Sequence, residues 1–178
     1  MGNGDSDVLK PWKALRIPRC PHLSVMDGGR RRRHRTRGDP DRYTGRGEDV
    51  SPDFELTGIA DEAVSIAIVM DDLDVPWSSN YTHWVIWNIP ATSSIPEAIP
   101  HGAIVSSLSD AVKGDAFGTN KYRGPNPPFG THRYQFHIFV LDDMLDLSSS
   151  AAKADLLAAM DGHIIQYGSI TGWYPEAK

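Results

Sequence analysis

The chain has 178 residues, which is about the size of one domain, with 16 Gly, 13 Pro and a formal net charge of -5. Its single cysteine, Cys20, excludes an intrachain disulfide framework and a cysteine-based zinc site. No apolar run approaches the roughly 20 residues that cross a bilayer, and the start of the chain lacks the apolar stretch of a secretory signal. We therefore expect a cytoplasmic protein with many turns.

The charge is unevenly distributed along the chain. Residues 1–47 contain twelve Lys or Arg against five Asp, whereas residues 48–178 contain six against eighteen Asp or Glu. The basic excess centres on Arg30–Arg37, a run without apolar periodicity that is typical of solvated chain. We expect residues 1–42 to form a basic, poorly ordered or atypical N-terminal segment, and residues 43–178 to form the folded domain.

The charge pattern also limits the partners. The acidic body argues against nucleic acid, and the arginine run has no interleaved aromatic residues. The sequence around Gly2 fits a loose myristoylation pattern, and a basic run is the second signal that a single acyl chain needs. At most, we expect peripheral membrane contact.

Short apolar segments separated by turns predict a β-rich fold. Val64–Met70 predicts a strand buried on both faces, and His83–Ile89 and Arg133–Leu141 predict two more. Ala103–Leu108 and Ile170–Tyr174 predict shorter strands. Strands followed by late helical content favour an antiparallel, Greek-key-like β-sandwich with peripheral helices.

One segment near the C-terminus predicts a helix. Ser149 or Ser150 is the expected N-cap, and Leu156 lies on the apolar face. The apolar spacing resumes at Ile164 after a glycine, and Gly168 is the expected C-cap. The sequence therefore predicts one peripheral C-terminal helix that reaches about residue 167.

Four titratable residues flank the predicted strands. Asp72 and Asp74 follow the first strand, while His83 and His132 begin the next two. If these strands are antiparallel neighbours, the end of the first lies beside the beginnings of the others. The four side chains would then surround one mouth at the rim of the sheet.

Such a mouth suits an anionic ligand. Neighbouring carboxylates are expected to raise the pKa of both imidazoles, and a charged imidazole donates from both ring nitrogens to phosphate or carboxylate oxygens. The loop around Gly124 could aim backbone N–H groups at the anion, and its prolines would fix its geometry. The aspartates would orient the histidines or meet an amine on the same ligand.

Two chemical alternatives use the same mouth. Two carboxylates with two histidines can bind a divalent metal, but the chain lacks the closely spaced histidine pairs typical of such sites. A metal-dependent hydrolase is the second alternative, although there is no Gly-x-Ser-x-Gly elbow and Cys20 is remote in sequence. We predict no catalytic residue, no metal and no cofactor.

An ordered set of motifs resembles the phosphatidylethanolamine-binding protein (PEBP) family, in its prokaryote-type Raf-kinase-inhibitor-like branch. Any one motif is weak, but the order and gaps are specific, and the resemblance covers about residues 43–174. The motifs are Asp71–Pro76, His83–Pro90, Tyr122–Pro128 and Gly130–Tyr134, with support from Tyr43–Pro52 and Lys153–His163.

The resemblance implies a β-sandwich with peripheral helices and a small anion pocket at one end. It also implies a non-enzymatic protein that binds a phospholipid headgroup or a phosphorylated side chain. The alternative is a regulator that inhibits a protein kinase or a serine protease. Carried onto matching positions, the pocket would use Asp72, Asp74, His83, Gly124, Pro127, Pro128, His132 and Tyr134.

Overall fold

The computed structural model describes residues 24–27, 40–76 and 81–176. These residues form nine strands and one α-helix, with two short 3-10 helices at Pro40–Tyr43 and Ser106–Leu108. The elements are β1 (Ser24–Asp27), β2 (Phe54–Thr57), β3 (Ser65–Asp72), β4 (Tyr81–Pro90), β5 (Ser94–Ile95), β6 (Ile104–Val105), β7 (Ala111–Lys113), β8 (Thr131–Leu141), α1 (Lys153–Ala159) and β9 (Ile164–Pro175).

The strands form two antiparallel sheets. The larger sheet has the order β6-β7-β4-β3-β8-β9, and the smaller one has the order β1-β2-β5. The mainly β, antiparallel architecture with a peripheral helix confirms the predicted fold class. The three long predicted strands are β3, β4 and β8, and β3 lies between the other two.

Strand β3 separates two hydrophobic cores. Ile68 and Met70 face the layer between the sheets, where they share a cluster with Phe54 of the smaller sheet. Val69 points to the opposite face and shares a second cluster with Leu156 of α1. Successive side chains of a strand alternate between its two faces, and both faces of β3 are covered by a core. Every residue of β3 is therefore buried.

The C-terminal helix is shorter than predicted. Helix α1 ends at Ala159, and Gly162 adopts a positive φ of 92° in the turn that follows. The apolar residues from Ile164 onward belong to β9, so the prediction of one helix reaching residue 167 was wrong. Two adjacent apolar residues, Ile164 and Ile165, fit the apolar spacing of a helix as well as that of a strand. The segment forms a strand because it pairs with β8.

The predicted N-cap was also wrong. The helix begins at Lys153, with Ala152 as its N-cap residue. The Asp155 carboxylate, at the third position of the helix, reaches back and accepts a hydrogen bond from the Ala152 N–H at 2.9 Å. An acidic side chain in the first turn also interacts favourably with the helix dipole.

The N-terminal region contributes one strand to the described structure. Strand β1 pairs with β2 and lies ahead of the predicted domain boundary at residue 43, which stays a prediction. The arginine run Arg30–Arg37 lies outside the described residues. Within the described ranges, no helix has the length and apolar character needed to span a membrane.

A buried polar cluster attaches α1 to the larger sheet. The ammonium group of Lys153 forms an ion pair with Asp71, whose side chain is 1% exposed. Thr82 of β4 donates its hydroxyl to the other Asp71 oxygen at 2.8 Å. His137 Nε2 lies 4.0 Å from Asp71, and His137 Nδ1 lies 2.8 Å from the Tyr167 hydroxyl. The pairing satisfies charges that would otherwise be costly to bury.

Substitution of Lys153 by Met should lower the free energy of unfolding by about 3 kcal/mol, because it leaves the Asp71 carboxylate buried without its cation. In the double variant Asp71→Asn/Lys153→Met, the total loss should be clearly smaller than the sum of the two single losses. Urea unfolding of the four proteins checks this. Additive losses would contradict an energetic coupling between the two side chains.

Burial, followed by the charge of Lys153, lowers the pKa of His137 to about 3. The unfolded chain therefore takes up a proton at this ring below about pH 6.5, whereas the folded chain does so only near pH 3. The free energy of unfolding should fall as the pH falls through this window and be constant with respect to His137 above it. In His137→Gln the slope between pH 6 and 4 should decrease by up to about 1.4 kcal/mol per pH unit, and an unchanged slope would contradict the assignment.

Candidate functional site

Three strand ends meet at one rim of the larger sheet. Asp72, the last residue of β3, lies opposite Tyr81 of β4 and opposite Tyr134 of β8. Since both pairings are antiparallel, the end of β3 lies between the beginnings of its two neighbours. The site is thus placed by hydrogen-bonded strands, at the end of the layer that separates the two sheets.

Asp72 and His132 form the centre of the site. His132 Nδ1 lies 2.7 Å from Asp72 Oδ2, and the two side chains are only 5% and 3% exposed. Because an ionised carboxylate only accepts, the hydrogen in this contact belongs to the imidazole. The Tyr134 hydroxyl also hydrogen-bonds Asp72, and burial, followed by the charge of Asp72, raises the pKa of Tyr134.

A β-bulge directs His83 into the same site. Met70 lies opposite Trp84 and Asp71 lies opposite Thr82, so β4 has one extra residue between these pairs, which is His83. Bulges re-aim side chains that strict alternation would place on the other face. The His83 ring consequently meets the Tyr134 ring edge-on, with centroids 5.1 Å apart.

The two imidazoles lie around one tyrosine. His132 stacks on Tyr134 with centroids 6.4 Å apart and an interplanar angle of 25°, while His83 contacts the same ring at nearly 90°. His83 Nδ1 lies 2.9 Å from the carbonyl oxygen of Arg123, which can only accept, so this nitrogen carries the hydrogen. Both rings are therefore oriented through Nδ1.

The outer nitrogens of both rings remain available. Among the described residues, no hydrogen-bond partner contacts Nε2 of His83 or of His132. Neither atom belongs to the buried side-chain atoms that lack a hydrogen-bond partner, so both retain some contact with solvent. The two Nε2 atoms are consequently the polar groups that the site can offer to a ligand.

The expectation that both pKa values are raised was wrong for His83. Burial lowers the pKa of His83, and this effect exceeds the opposing influence of the Arg123 carbonyl and the Asp72 charge. At neutral pH the ring is uncharged, with its proton on Nδ1 and a lone pair on Nε2. An anionic ligand must therefore bring a proton or cause the ring to take one up.

Asp74 lies at the same rim but is engaged elsewhere. It accepts two hydrogen bonds from the Arg133 guanidinium, at 2.9 Å from Nε and 2.7 Å from Nη2, and a third from the Arg133 N–H. These contacts lower the pKa of Asp74, with the side-chain hydrogen bond as the largest cause. Asp74 thus fixes the beginning of β8 through Arg133.

The Gly/Pro loop closes the site from one side. Pro127 is buried, Pro128 is exposed, and the backbone of Asn126 hydrogen-bonds the Tyr134 hydroxyl. The Gly124 N–H donates to Asp49 Oδ1 at 2.6 Å, so it is already used within the protein. The Gly124 N–H is therefore not available to an anion, and the expectation that the loop aims backbone N–H groups at one stays a prediction for its other residues.

Gly124 is required for a different reason. A Cβ atom at this position would lie 2.3 Å from the Tyr43 carbonyl oxygen and 2.8 Å from Thr44 Cα. The Tyr122 hydroxyl bonds the same carbonyl at 2.9 Å, and the Gly45 N–H bonds the Pro125 carbonyl at 3.0 Å. The segment that follows the first 3-10 helix thus holds the loop in place over the site.

Sequence reasoning missed the residues that support the pocket from loops. Asp49 lies within the motif region quoted above, but its contact with Gly124 spans 75 residues. Phe117, which contacts the His83 ring at 5.3 Å, had no signal apart from the glycine that follows it. In the described part of the chain, no group of three or more His, Cys, Asp or Glu has the arrangement of a metal site.

Comparison with known proteins identifies the family of the chain. The family model described as "Phosphatidylethanolamine-binding protein" matches residues 35–175. The chain belongs to this family. It is 40% identical over 138 residues to a UPF0098 protein of Pyrococcus horikoshii, covering 76% of this chain and 69% of the relative. It is 43% identical to a UPF0098 protein of Methanothermobacter thermautotrophicus, with coverage of 76% and 89%.

Two crystal structures show the same PEBP fold. One is a PEBP homologue from Chlamydia trachomatis, with a TM-score of 0.73, 28% identity, and coverage of 88% of this chain and 99% of that one. The other is E. coli YbcL, described as a new member of the mammalian PEBP family, with a TM-score of 0.70, 26% identity, and coverage of 89% and 100%.

Substitution of Gly124 by Ala should lower the free energy of unfolding by about 2 kcal/mol, because the new methyl group collides with the backbone at Tyr43 and Thr44. Gly45→Ala is a matched control, because Gly45 faces the same loop and the nearest atom to its Cβ would be Asn126 Cβ, at 3.2 Å. The adjacent Arg123 carbonyl should shift in Gly124→Ala and change the 15N shifts of the His83 imidazole. Equal stability of both variants would contradict the proposed close packing.

Proposed function

We propose that this protein binds phosphate esters at the pocket formed by Asp72, His83, His132 and Tyr134, without chemical transformation of the ligand. The observation that carries the proposal is the pair of buried imidazoles, each oriented through Nδ1 and each with Nε2 left for a ligand. Tetrahedral oxyanions present several oxygens at once, so one phosphate group has enough oxygens to contact both rings.

Proton uptake provides the recognition of charge. Burial keeps His83 uncharged when the pocket is empty, so its Nε2 is an acceptor. A bound phosphate either donates its own P–OH hydrogen to Nε2 or raises the pKa of the ring until Nε2 carries a hydrogen. In both cases the complex holds more protons than the separated partners at higher pH, and binding weakens as the pH rises.

The remaining pocket residues have supporting roles in this proposal. Asp72 orients His132, and Tyr134 spaces the two rings. Gly124 permits the close approach of the loop, in which Pro127 is buried and Pro128 is exposed. Asp74 holds the first residues of β8 through Arg133. Inhibition of a kinase or serine protease, and a cytoplasmic location, stay predictions from the sequence.

Calorimetric titration with inorganic phosphate tests the proposal. His83→Gln and His132→Gln should each weaken binding about tenfold or more, because each removes a hydrogen bond to a charged group. His163→Gln is the matched control, since His163 is 44% exposed and pairs with Asp142 away from the pocket. Equal affinity of all three variants and the unchanged protein would contradict the proposal.

Sulfate separates the protons of the protein from those of the ligand, because sulfate does not titrate near neutral pH. Its affinity should fall as the pH rises from 6 to 8, by up to about tenfold per unit for each proton that the pocket takes up. Titrations in two buffers with different ionisation enthalpies count these protons. Sulfate binding that is independent of pH would contradict imidazole protonation as the source of recognition.

The two sources of a phosphate ester differ in charge. A phospholipid headgroup is a diester with one negative phosphate oxygen, whereas a phosphorylated side chain is a monoester with up to two. Competition against inorganic phosphate by glycerophosphoethanolamine and by a phosphoserine peptide distinguishes them. We expect the monoester to compete better, because its second ionisation adds negative charge that strengthens the hydrogen bonds to both rings.

A further inference from the structure

The side chain of Arg123 lies beside the pocket, at its surface. Its guanidinium carbon is 4.4 Å from the centre of the Phe117 ring, a cation–π contact. The Phe117 ring in turn meets the His83 ring at 5.3 Å and the Tyr81 ring at 4.5 Å, both edge-on. Arg123 is thus joined to the anion pocket through one aromatic ring as well as through its own carbonyl.

The two arginines at this rim differ in how their charges are paired. Arg133 is neutralised by two hydrogen bonds to the Asp74 carboxylate. Within residues 40–76 and 81–176, by contrast, no carboxylate forms an ion pair with Arg123, whose side chain is exposed. The electrostatic influence of Arg123 nevertheless reaches His83, where it opposes protonation. The rim therefore carries a positive charge that these residues leave uncompensated.

Phe117 is held in an unfavourable backbone conformation to provide this ring. It has a φ of 57°, followed by Gly118 with a φ of 71°. Reciprocal hydrogen bonds between Ala116 and Thr119, at 3.1 and 3.2 Å, close a two-residue turn around them. Turns of this kind favour Asn, Asp or Gly at the first central position, whereas a bulky residue there is strained. Strain that persists at the edge of a pocket points to a functional role for the ring.

We propose that Arg123, supported on Phe117, selects phosphate esters that carry a second negative group beside the phosphate. This inference rests on the proposed function and assigns it a ligand class. The phosphate would hydrogen-bond the Nε2 atoms of His83 and His132, and the second anionic group would contact the Arg123 guanidinium at the rim. An amine in the same position would meet the positive charge of Arg123, while both pocket carboxylates are already engaged by His132, Tyr134 and Arg133.

Three phosphate esters that share a two-carbon backbone test the proposal: phosphoglycolate, ethyl phosphate and phosphoethanolamine, whose far ends are negative, neutral and positive. The unchanged protein should bind phosphoglycolate about fivefold more tightly than ethyl phosphate, and phosphoethanolamine more weakly than either. Arg123→Gln should reduce these differences to less than twofold while inorganic phosphate still binds. Lys121→Gln removes the same charge two residues away and should keep the preference.

The variant Phe117→Asn tests whether the Phe117 ring positions Arg123 or only stabilises the fold. Asparagine suits the positive φ of the turn, so the melting temperature should stay the same or rise, whereas the preference for phosphoglycolate should fall with loss of the ring under Arg123. A lower melting temperature with an unchanged preference would assign Phe117 a purely structural role and overturn its part in the proposal.

The outcomes distinguish this inference from the function on which it rests. If all three ligands compete with inorganic phosphate but the unchanged protein shows no preference, or prefers phosphoethanolamine, the role of Arg123 is overturned and phosphate binding stands. If neither the ligands nor inorganic phosphate bind, the proposed function fails and the inference fails with it. A preference that survives in Arg123→Gln would also overturn the inference.

Discussion

The hydrogen bond between Asp72 and His132 is the contact on which the pocket depends. Both groups are almost fully buried, and a carboxylate in such a place is costly unless donors surround it. His132 and Tyr134 provide those donors from the neighbouring strand. Because Asp72 ends the central strand of the larger sheet, two antiparallel ladders determine its position. Strand pairing thus positions Asp72 without the help of a ligand, and preorganisation of this kind limits the entropy that a binding site loses when it is filled.

Two adjacent aspartates serve the two faces of one strand. Asp72 faces the layer between the sheets and organises the pocket, whereas Asp71 faces α1 and pairs with Lys153. Strand alternation makes this division unavoidable once the register of β3 is determined. Neutralisation of Asp71 by Lys153 also means that a negative charge next to the pocket is compensated within the protein. The helix thus contributes to the electrostatics of a site that it does not touch.

The three long strands β3, β4 and β8, and the rim where they meet, were predictable because apolar runs and strand alternation are local signals. The short strands β2, β5 and β7 carry too few residues for such a signal and were missed. The end of the helix was not: after Gly162, the spacing at Ile164 fits a helix as well as a strand, and only pairing with β8 decides. The bulge that turns His83 inward is a property of the pairing with β3 and leaves no mark in the local sequence. The direction in which the pKa of His83 shifts is decided by burial, which cannot be judged from the local sequence. The sequence shows only nearby charges such as Asp72, which act in the opposite direction.

The division of labour between the loop and the rim follows from where hydrogen bonds are already used. The Gly124 N–H belongs to Asp49, so the Gly/Pro loop shapes the pocket and donates nothing to a ligand from that position. In the proposed function, affinity for a phosphate group comes from the two imidazoles, and these two rings alone would accommodate any tetrahedral oxyanion. Discrimination among phosphate esters needs a group outside this pair. Arg123 is suited to that role because its carbonyl orients His83 while its side chain, on the ring of Phe117, remains at the surface.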